Sequence, residues 1–519
     1  MTRIIFTLTL SFLFLSNVAK SQEIKLKVKG IKDTTVHLVK YVGSKMYYAD
    51  TSALKDGVVT FDGSIQKPGV MGLLMPGQRF FEFVYAGEPI SLETKSPNYR
   101  EHMVVKESDE NKLFYKYINF MQENTGNARK LNEEKSKLGK EQEARKKEID
   151  EELAQMGVAV AEFQKSIVKE NPDAFVAKIV KMSTDIEVPE APKNEDGSLI
   201  DSTFKYKYFR DHYFDNIDLT DSRIVNVPVF QKKLEYFYSR NMLIQHPDTL
   251  IKYITPVVEQ LPEGTEIYRF VVANITSNFE KSKIMGMDKV VNYMVARYYC
   301  SPDKEGNPKG FWMDQEKMEE LCKDTEKRLR LVQGVVPPNL ILPDSTNQKW
   351  YNMYELESEY VVLYFWDPNC GHCKKVTPKL QTLYEKKFKD RDIEIFAVGK
   401  ATGDDFEDWK AFIKKHNLEF INVGLTQKIY DQAKEDARSL IPSKTTLESI
   451  NYQDTYDIYS TPRVWILDKD KKIIAKSLSI AQMERLLDSL QGHEDDEKLF
   501  ELEEEGEEEE GAEEGEDSH

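Results

Sequence analysis

The stretch that decides the C-terminal fold runs from Phe365 to Pro378, FWDPNCGHCKKVTP. It is entered from EYVVLYFW (359–366), an apolar run with the length and β-branched content of a buried strand. KKVTPKLQTLYEKKF follows with helical spacing. A strand therefore runs directly into Cys370, and a helix begins at the cysteine pair. At a helix start the first sulfur meets unpaired N–H groups and the positive end of the helix dipole. Both favour thiolate over thiol, and His372, once protonated, adds a third stabiliser. Cys-x-x-Cys thiols titrate at roughly 3.5–7, against about 8.5 for a free cysteine. Cys370 is the expected nucleophile. Cys373, one turn deeper, is the expected resolving thiol that releases a mixed disulfide.

Other chemistries use paired cysteines. A structural zinc site takes four ligands, usually from two such pairs, and no compact His/Cys partner is visible. A c-type haem needs Cys-x-x-Cys-His, and Lys374 stands where that histidine would be. Two thiolates suit copper, and a close pair also suits an inert structural disulfide, so both stay open beside the redox reading. A peroxiredoxin needs threonine three residues before its reactive cysteine, and that residue is Asp367. No cofactor or metal site is expected.

Working outward, IEIFAVG is a second buried strand and DDFEDWKAFIKKHNL a second helix; TPRVWILD, KKIIAKSL and the helix AQMERLLDSL follow. This order predicts a mixed sheet covered on both faces over 332–492. Residues 22–106 read differently. EIKLKVKG and TTVHLVKYV alternate, with turn signals at Gly57, Gly63, Gly77 and Gly87, which predicts an antiparallel β-sandwich. From 107 to 331 the period becomes helical. NKLFYKYINFMQ stripes Leu113, Phe114, Tyr117 and Phe120, and charged residues over 129–152 alternate in sign. Cys300 and Cys322 lie on two such helices; a disulfide and two buried thiols both remain open.

The net charge is −17, but 494–519 holds sixteen acidic residues and one lysine, so the rest is near −2. No basic surface is implied, and nucleic acid is not an expected partner. The acidic residues 493–519 have too little apolar content to offset chain entropy and are expected to be disordered. Arg3, the apolar run Ile4–Leu15 and Ala19-Lys20-Ser21 form a signal-peptide pattern over 1–21. The mature chain would start near Gln22 and carry no transmembrane segment. Export across the inner membrane to the periplasm or cell envelope is expected. Four cysteines in 519 residues do not make a disulfide framework.

The unit over 332–492 resembles a thioredoxin fold of the TlpA-like kind found in bacterial envelopes. Trp366 lies four residues before Cys370, near the thioredoxin tryptophan, and Pro378 matches the proline of the active-site helix. Thr461-Pro462 matches the cis-proline that faces the disulfide. Two positions depart: Tyr364 replaces the buried acid, and Val376 the glutamate of many TlpA-like reductases. Cys-Gly-His-Cys and threonine before the proline resemble protein disulfide isomerases. ADTSALKDGVVTFDG and PGVMGLLMPG resemble an uncharacterised domain preceding thioredoxin domains in Bacteroidota. NPDAFVAKIV, YFDNIDLTDSRIVNVPVF, QHPD and KSKIMGMDKV resemble its helical companion. The resemblance implies a thiol–disulfide oxidoreductase acting on protein thiols and disulfides, with an unidentified electron partner in the envelope. Its site would comprise Cys370, Cys373, His372, Thr461, Pro462 and Trp366. The rival reading is a non-enzymatic envelope binding protein in which the pair staples or switches the complex.

Overall fold

The computed structural model describes residues 22–502. The signal-peptide pattern over 1–21 and the acidic residues 503–519 lie outside the described residues. The chain forms two compact units. One comprises residues up to Ile244 with Tyr253–Val271, the other Gln245–Lys252 with Val272 onward. The division falls inside the helical stretch expected at 107–331, so both units contain helices.

The first unit begins with eight strands: β1 (Glu23–Lys29), β2 (Thr34–Val42), β3 (Lys45–Leu54), β4 (Val58–Asp62), β5 (Gly69–Met75), β6 (Arg79–Tyr85), β7 (Ile90–Lys95) and β8 (Val104–Glu107). They make two four-stranded sheets, ordered β4-β1-β7-β8 and β3-β2-β5-β6. In β1 only Ile24, Leu26 and Val28 are buried, and the intervening charged residues are exposed. This period of two places them in a core with Val36, Leu38, Met71 and Phe83. One pairing departs from the antiparallel expectation: β1 and β7 run parallel. β7 returns from the other sheet, so no hairpin turn sets its direction. Two long helices follow, Asp109–Lys137 and Glu143–Glu170. Phe120 stacks on Phe163 between them at 3.9 Å, and Arg145 pairs with Glu134, Glu148 and Glu152. The charges flagged in the sequence thus pair with one another at the surface, where each pair contributes about 1 kcal/mol or less.

In the second unit Cys300 and Cys322 form a disulfide with Cα atoms 5.6 Å apart, deciding the alternative left open by the sequence. A short pair, β9 (Ile341–Pro343) and β10 (Trp350–Asn352), leads into five strands. These are β11 (Tyr360–Trp366), β12 (Ile393–Gly399), β13 (Ile421–Val423), β14 (Arg463–Leu467) and β15 (Ile473–Lys476), ordered β13-β12-β11-β14-β15. The first three in chain order are parallel, and β14 and β15 are antiparallel. β11 is central and buried on both faces. Val362, Tyr364 and Trp366 face one core, and Val361, Leu363 and Phe365 the other. An apolar run without alternation is what two covered faces require.

The fold does not stop at the last helix, Ile480–Leu490. Residues 493–502, assigned by composition to the acidic tail, pack back on the domain. Glu484 and Asp488 are both fully buried. Glu484 accepts the backbone N–H groups of Leu499 at 2.8 Å and Phe500 at 3.1 Å and pairs with Lys387 at 2.6 Å. Asp488 takes Arg391 at 2.8 Å, Lys498 at 2.8 Å and Lys387 at 3.0 Å. Leu499 and Phe500 pack on the core beneath. The tail boundary expected at 493 therefore falls later, because a short apolar island is hidden in an acidic run. Burial opposes ionisation of Asp488, but hydrogen bonds from Lys498, Lys387 and Arg391 outweigh it and lower its pKa. Its stabilising contribution is present above the unfolded carboxyl pKa of about 3.9 and lost as pH falls through the folded value.

Truncation after His493 should cost about 2–4 kcal/mol, because it strips partners from two buried carboxylates. Truncation after Leu502 should leave the melting temperature within error. Thermal unfolding of both variants at pH 7 checks this; equal stability would mean that the contacts at 498–500 contribute nothing.

Candidate active site

β11 ends at Trp366, and Asp367-Pro368-Asn369 carries the chain off the sheet. Asp367 accepts the Asn369 N–H at 2.7 Å, and Asn369 Nδ2 donates to Asp405 at 2.9 Å and Asp408 at 3.0 Å. Lys400 bridges Asp367 and Asp405 at 3.4 and 3.0 Å. Lys400 is held in turn by the end of β12, where Gly399 lies so close to Trp409 that an added Cβ would sit 2.1 Å from its Nε1. The loop therefore enters the helix Gly371–Leu383 in a set orientation, with Cys370 at the N-cap.

Cys370 Sγ accepts the Cys373 N–H at 3.5 Å and lies 3.3 Å from the Thr461 carbonyl oxygen, to which the thiol donates. The Thr461–Pro462 bond is cis. Both cysteines are free thiols; Cys370 is partly exposed and Cys373 is buried. Their acidities diverge. Burial raises the Cys370 pKa, but hydrogen bonding from the Cys373 N–H and thiol, Thr461 and the His372 N–H outweighs it, and the net shift is downward. Cys373 is pushed up to about 11, chiefly by burial.

The position that thioredoxins give to a buried acid holds Tyr364. It is fully buried and its hydroxyl lies 2.8 Å from Thr377 Oγ1. Burial, followed by the neighbouring Cys373, raises its pKa, so it stays a neutral hydroxyl under Cys373. Trp366 is buried in the same apolar cluster as both cysteines and packs on Phe412 at 5.1 Å. His372 is exposed and lines a groove of about 570 Å³ together with Val376, Thr461, Pro462, Leu478 and Phe500. The six residues expected from the sequence thus collect at one end of the sheet. Tyr364 with Thr377, Lys400 with Asp405, and Phe500 were not singled out as site residues. The sequence marks Tyr364 only as the residue in place of the buried acid, and Phe500 has a local signal as an aromatic residue inside an acidic run.

A thioredoxin-like family model matches residues 358–473, the segment carrying β11 to β14, the cysteine pair and Pro462. The thiol–disulfide oxidoreductase ResA of Bacillus cereus is 26% identical over 184 residues, 35% of this chain and 83% of ResA. The chain belongs to the thioredoxin-like thiol–disulfide oxidoreductases. A domain of a possible thiol-disulfide isomerase from Cytophaga hutchinsonii is 32% identical to this family member, covering 32% of the chain and 94% of that domain at a TM-score of 0.24. A thioredoxin-like protein from Bacteroides caccae covers 59% of the chain and 98% of its own length, at 14% identity and a TM-score of 0.37. Residues 23–114 match a domain of unknown function, DUF4369.

Alkylation of Cys370 should be half-maximal well below pH 8.5, rising with pH as its thiolate forms, whereas Cys373 should stay unreactive up to pH 9. Rates of iodoacetamide labelling resolved by peptide mass measure both. A Cys370 midpoint near 8.5 would remove the N-cap activation.

Proposed function

We propose that this oxidoreductase exchanges disulfides with protein substrates in the periplasm or cell envelope through Cys370 and Cys373. The observation that carries the reading is the asymmetry of the two thiols: one acidic and reachable at a helix N-cap, the other buried and held protonated. In the reducing direction the Cys370 thiolate attacks a substrate disulfide. A Cys370–substrate bond forms, the substrate S–S bond breaks, and the departing sulfur takes a proton. Cys373 then loses its proton and attacks Cys370 Sγ, expelling the second substrate thiol. Two electrons have passed to the substrate, and the protein holds a Cys370–Cys373 disulfide. An envelope dithiol partner must reset it; run backwards, the same steps oxidise a substrate.

Each remaining residue has a role in this scheme. His372 favours the Cys370 thiolate by charge when protonated. The Thr461 carbonyl and Pro462 border the attacking sulfur, and Trp366 closes the apolar side of the site. The Tyr364 hydroxyl stabilises a Cys373 thiolate as it forms, in place of a carboxylate. Export is supported by the N-terminal sequence pattern alone.

A Cys373→Ser variant expressed in the native host should accumulate a discrete set of mixed disulfides through Cys370. Non-reducing diagonal electrophoresis detects them, and loss of all of them in Cys370→Ser/Cys373→Ser assigns the sulfur. No trapped protein would favour a binding protein in which the pair is only a staple.

A further inference from the structure

The segment after the last helix does more than complete the core. Lys498 is tied to Asp488, and the N–H groups of Leu499 and Phe500 end on Glu484. The Phe500 carbonyl accepts Arg485 Nη1 at 2.9 Å. The backbone on both sides of Phe500 is therefore fixed. Phe500 is half-buried: it packs against the core and also lines the groove that contains His372 and Pro462. Val376 and Leu478 supply further apolar lining.

We propose that Phe500 is a specificity-determining residue: it receives an apolar side chain flanking the target cysteine of an extended polypeptide. This rests on the reading of Cys370 as the sulfur that attacks protein disulfides. Thr461, whose carbonyl faces Cys370 Sγ, and Phe500 line the same groove. A chain whose sulfur meets Cys370 must lay its neighbouring residues along that surface. A polypeptide with leucine or phenylalanine there gains burial on Phe500. Glutathione, with glycine and a glutamyl group beside its cysteine, gains none. The occupant is thus a protein chain, and apolar surface beside the cysteine marks disulfides that are exposed in incompletely folded substrates.

The test uses the full chain and two peptides, each joined through its single cysteine to glutathione. One has phenylalanine on both sides of the cysteine, the other serine. Reduced protein gives two electrons to the mixed disulfide, releasing peptide thiol and glutathione thiol and leaving Cys370–Cys373 oxidised. The kcat/KM ratio between peptides is taken within each variant, so a general loss of folding or thiol reactivity cancels. Wild type should prefer the phenylalanine peptide about tenfold. Phe500→Leu should keep most of that ratio, and Phe500→Ser should bring it below about twofold. A ratio near one in wild type, or one unchanged in Phe500→Ser, overturns the proposal. Failure of wild type to reduce even glutathione disulfide overturns the redox reading instead. Fluorescence anisotropy of the same two peptides on Cys370→Ser protein then reads the Phe500 contact without chemistry, with the same ratios expected and the same results overturning it.

Discussion

The burial of β11 on both faces is the constraint on which the rest of this domain depends. Seven consecutive residues, Tyr360 to Trp366, pack alternately into two cores, and neither core tolerates a shift of one residue. The register fixes where the strand ends, and the strand end fixes where the helix begins. Cys370 reaches the N-cap because Trp366 is the last residue of the buried strand. The cysteine pair is thus placed by hydrophobic packing: Cys373 is part of the core and Cys370 lies against it. The network of Asn369, Lys400, Asp405 and Asp408 then sets the orientation of the connecting turn.

Packing also produces the difference between the two thiols. A helix start alone lowers the thiol pKa by a modest amount, since dipole effects are worth about 0.3–1 kcal/mol at exposed termini. Direct hydrogen bonds to Cys370 add more. The opposite shift at Cys373 needs no special partner, only removal from water. Nucleophile and resolving thiol are therefore separated by depth: one turn of helix moves a sulfur from a partly exposed position into a core. Tyr364 and Thr377 put neutral hydroxyls beneath Cys373, where a carboxylate would lower the barrier to deprotonation.

Much of this was legible in the sequence because it is local. The strand 359–366, the helix start and the Cys-x-x-Cys spacing are read within a few residues, and β1 shows its buried face by simple alternation. What was not legible depends on contacts distant in the chain. The parallel pairing of β1 and β7 is set by the return from a second sheet, not by a turn between them. The Cys300–Cys322 bond depends on how two helices meet. Phe500 was hidden because composition averages over a window: an island of Leu499 and Phe500 is outweighed by its acidic neighbours. Its docking is specified by Glu484 and Asp488, which in the sequence look like exposed helix residues and are in fact fully buried. The buried carboxylates, not the apolar pair alone, show that the following segment belongs to the fold.

The reduction potential of the Cys370–Cys373 pair tests the central claim most directly. Stabilising the Cys370 thiolate favours the reduced form and raises the potential, whereas an inert structural disulfide is built to stay oxidised. Equilibration of the full chain with glutathione buffers, followed by tryptophan fluorescence from Trp366, measures it. The account predicts a value between those of thioredoxin, about −270 mV, and protein disulfide isomerase, about −180 mV, and nearer the latter. A potential below about −300 mV, the range of structural disulfides, would contradict it.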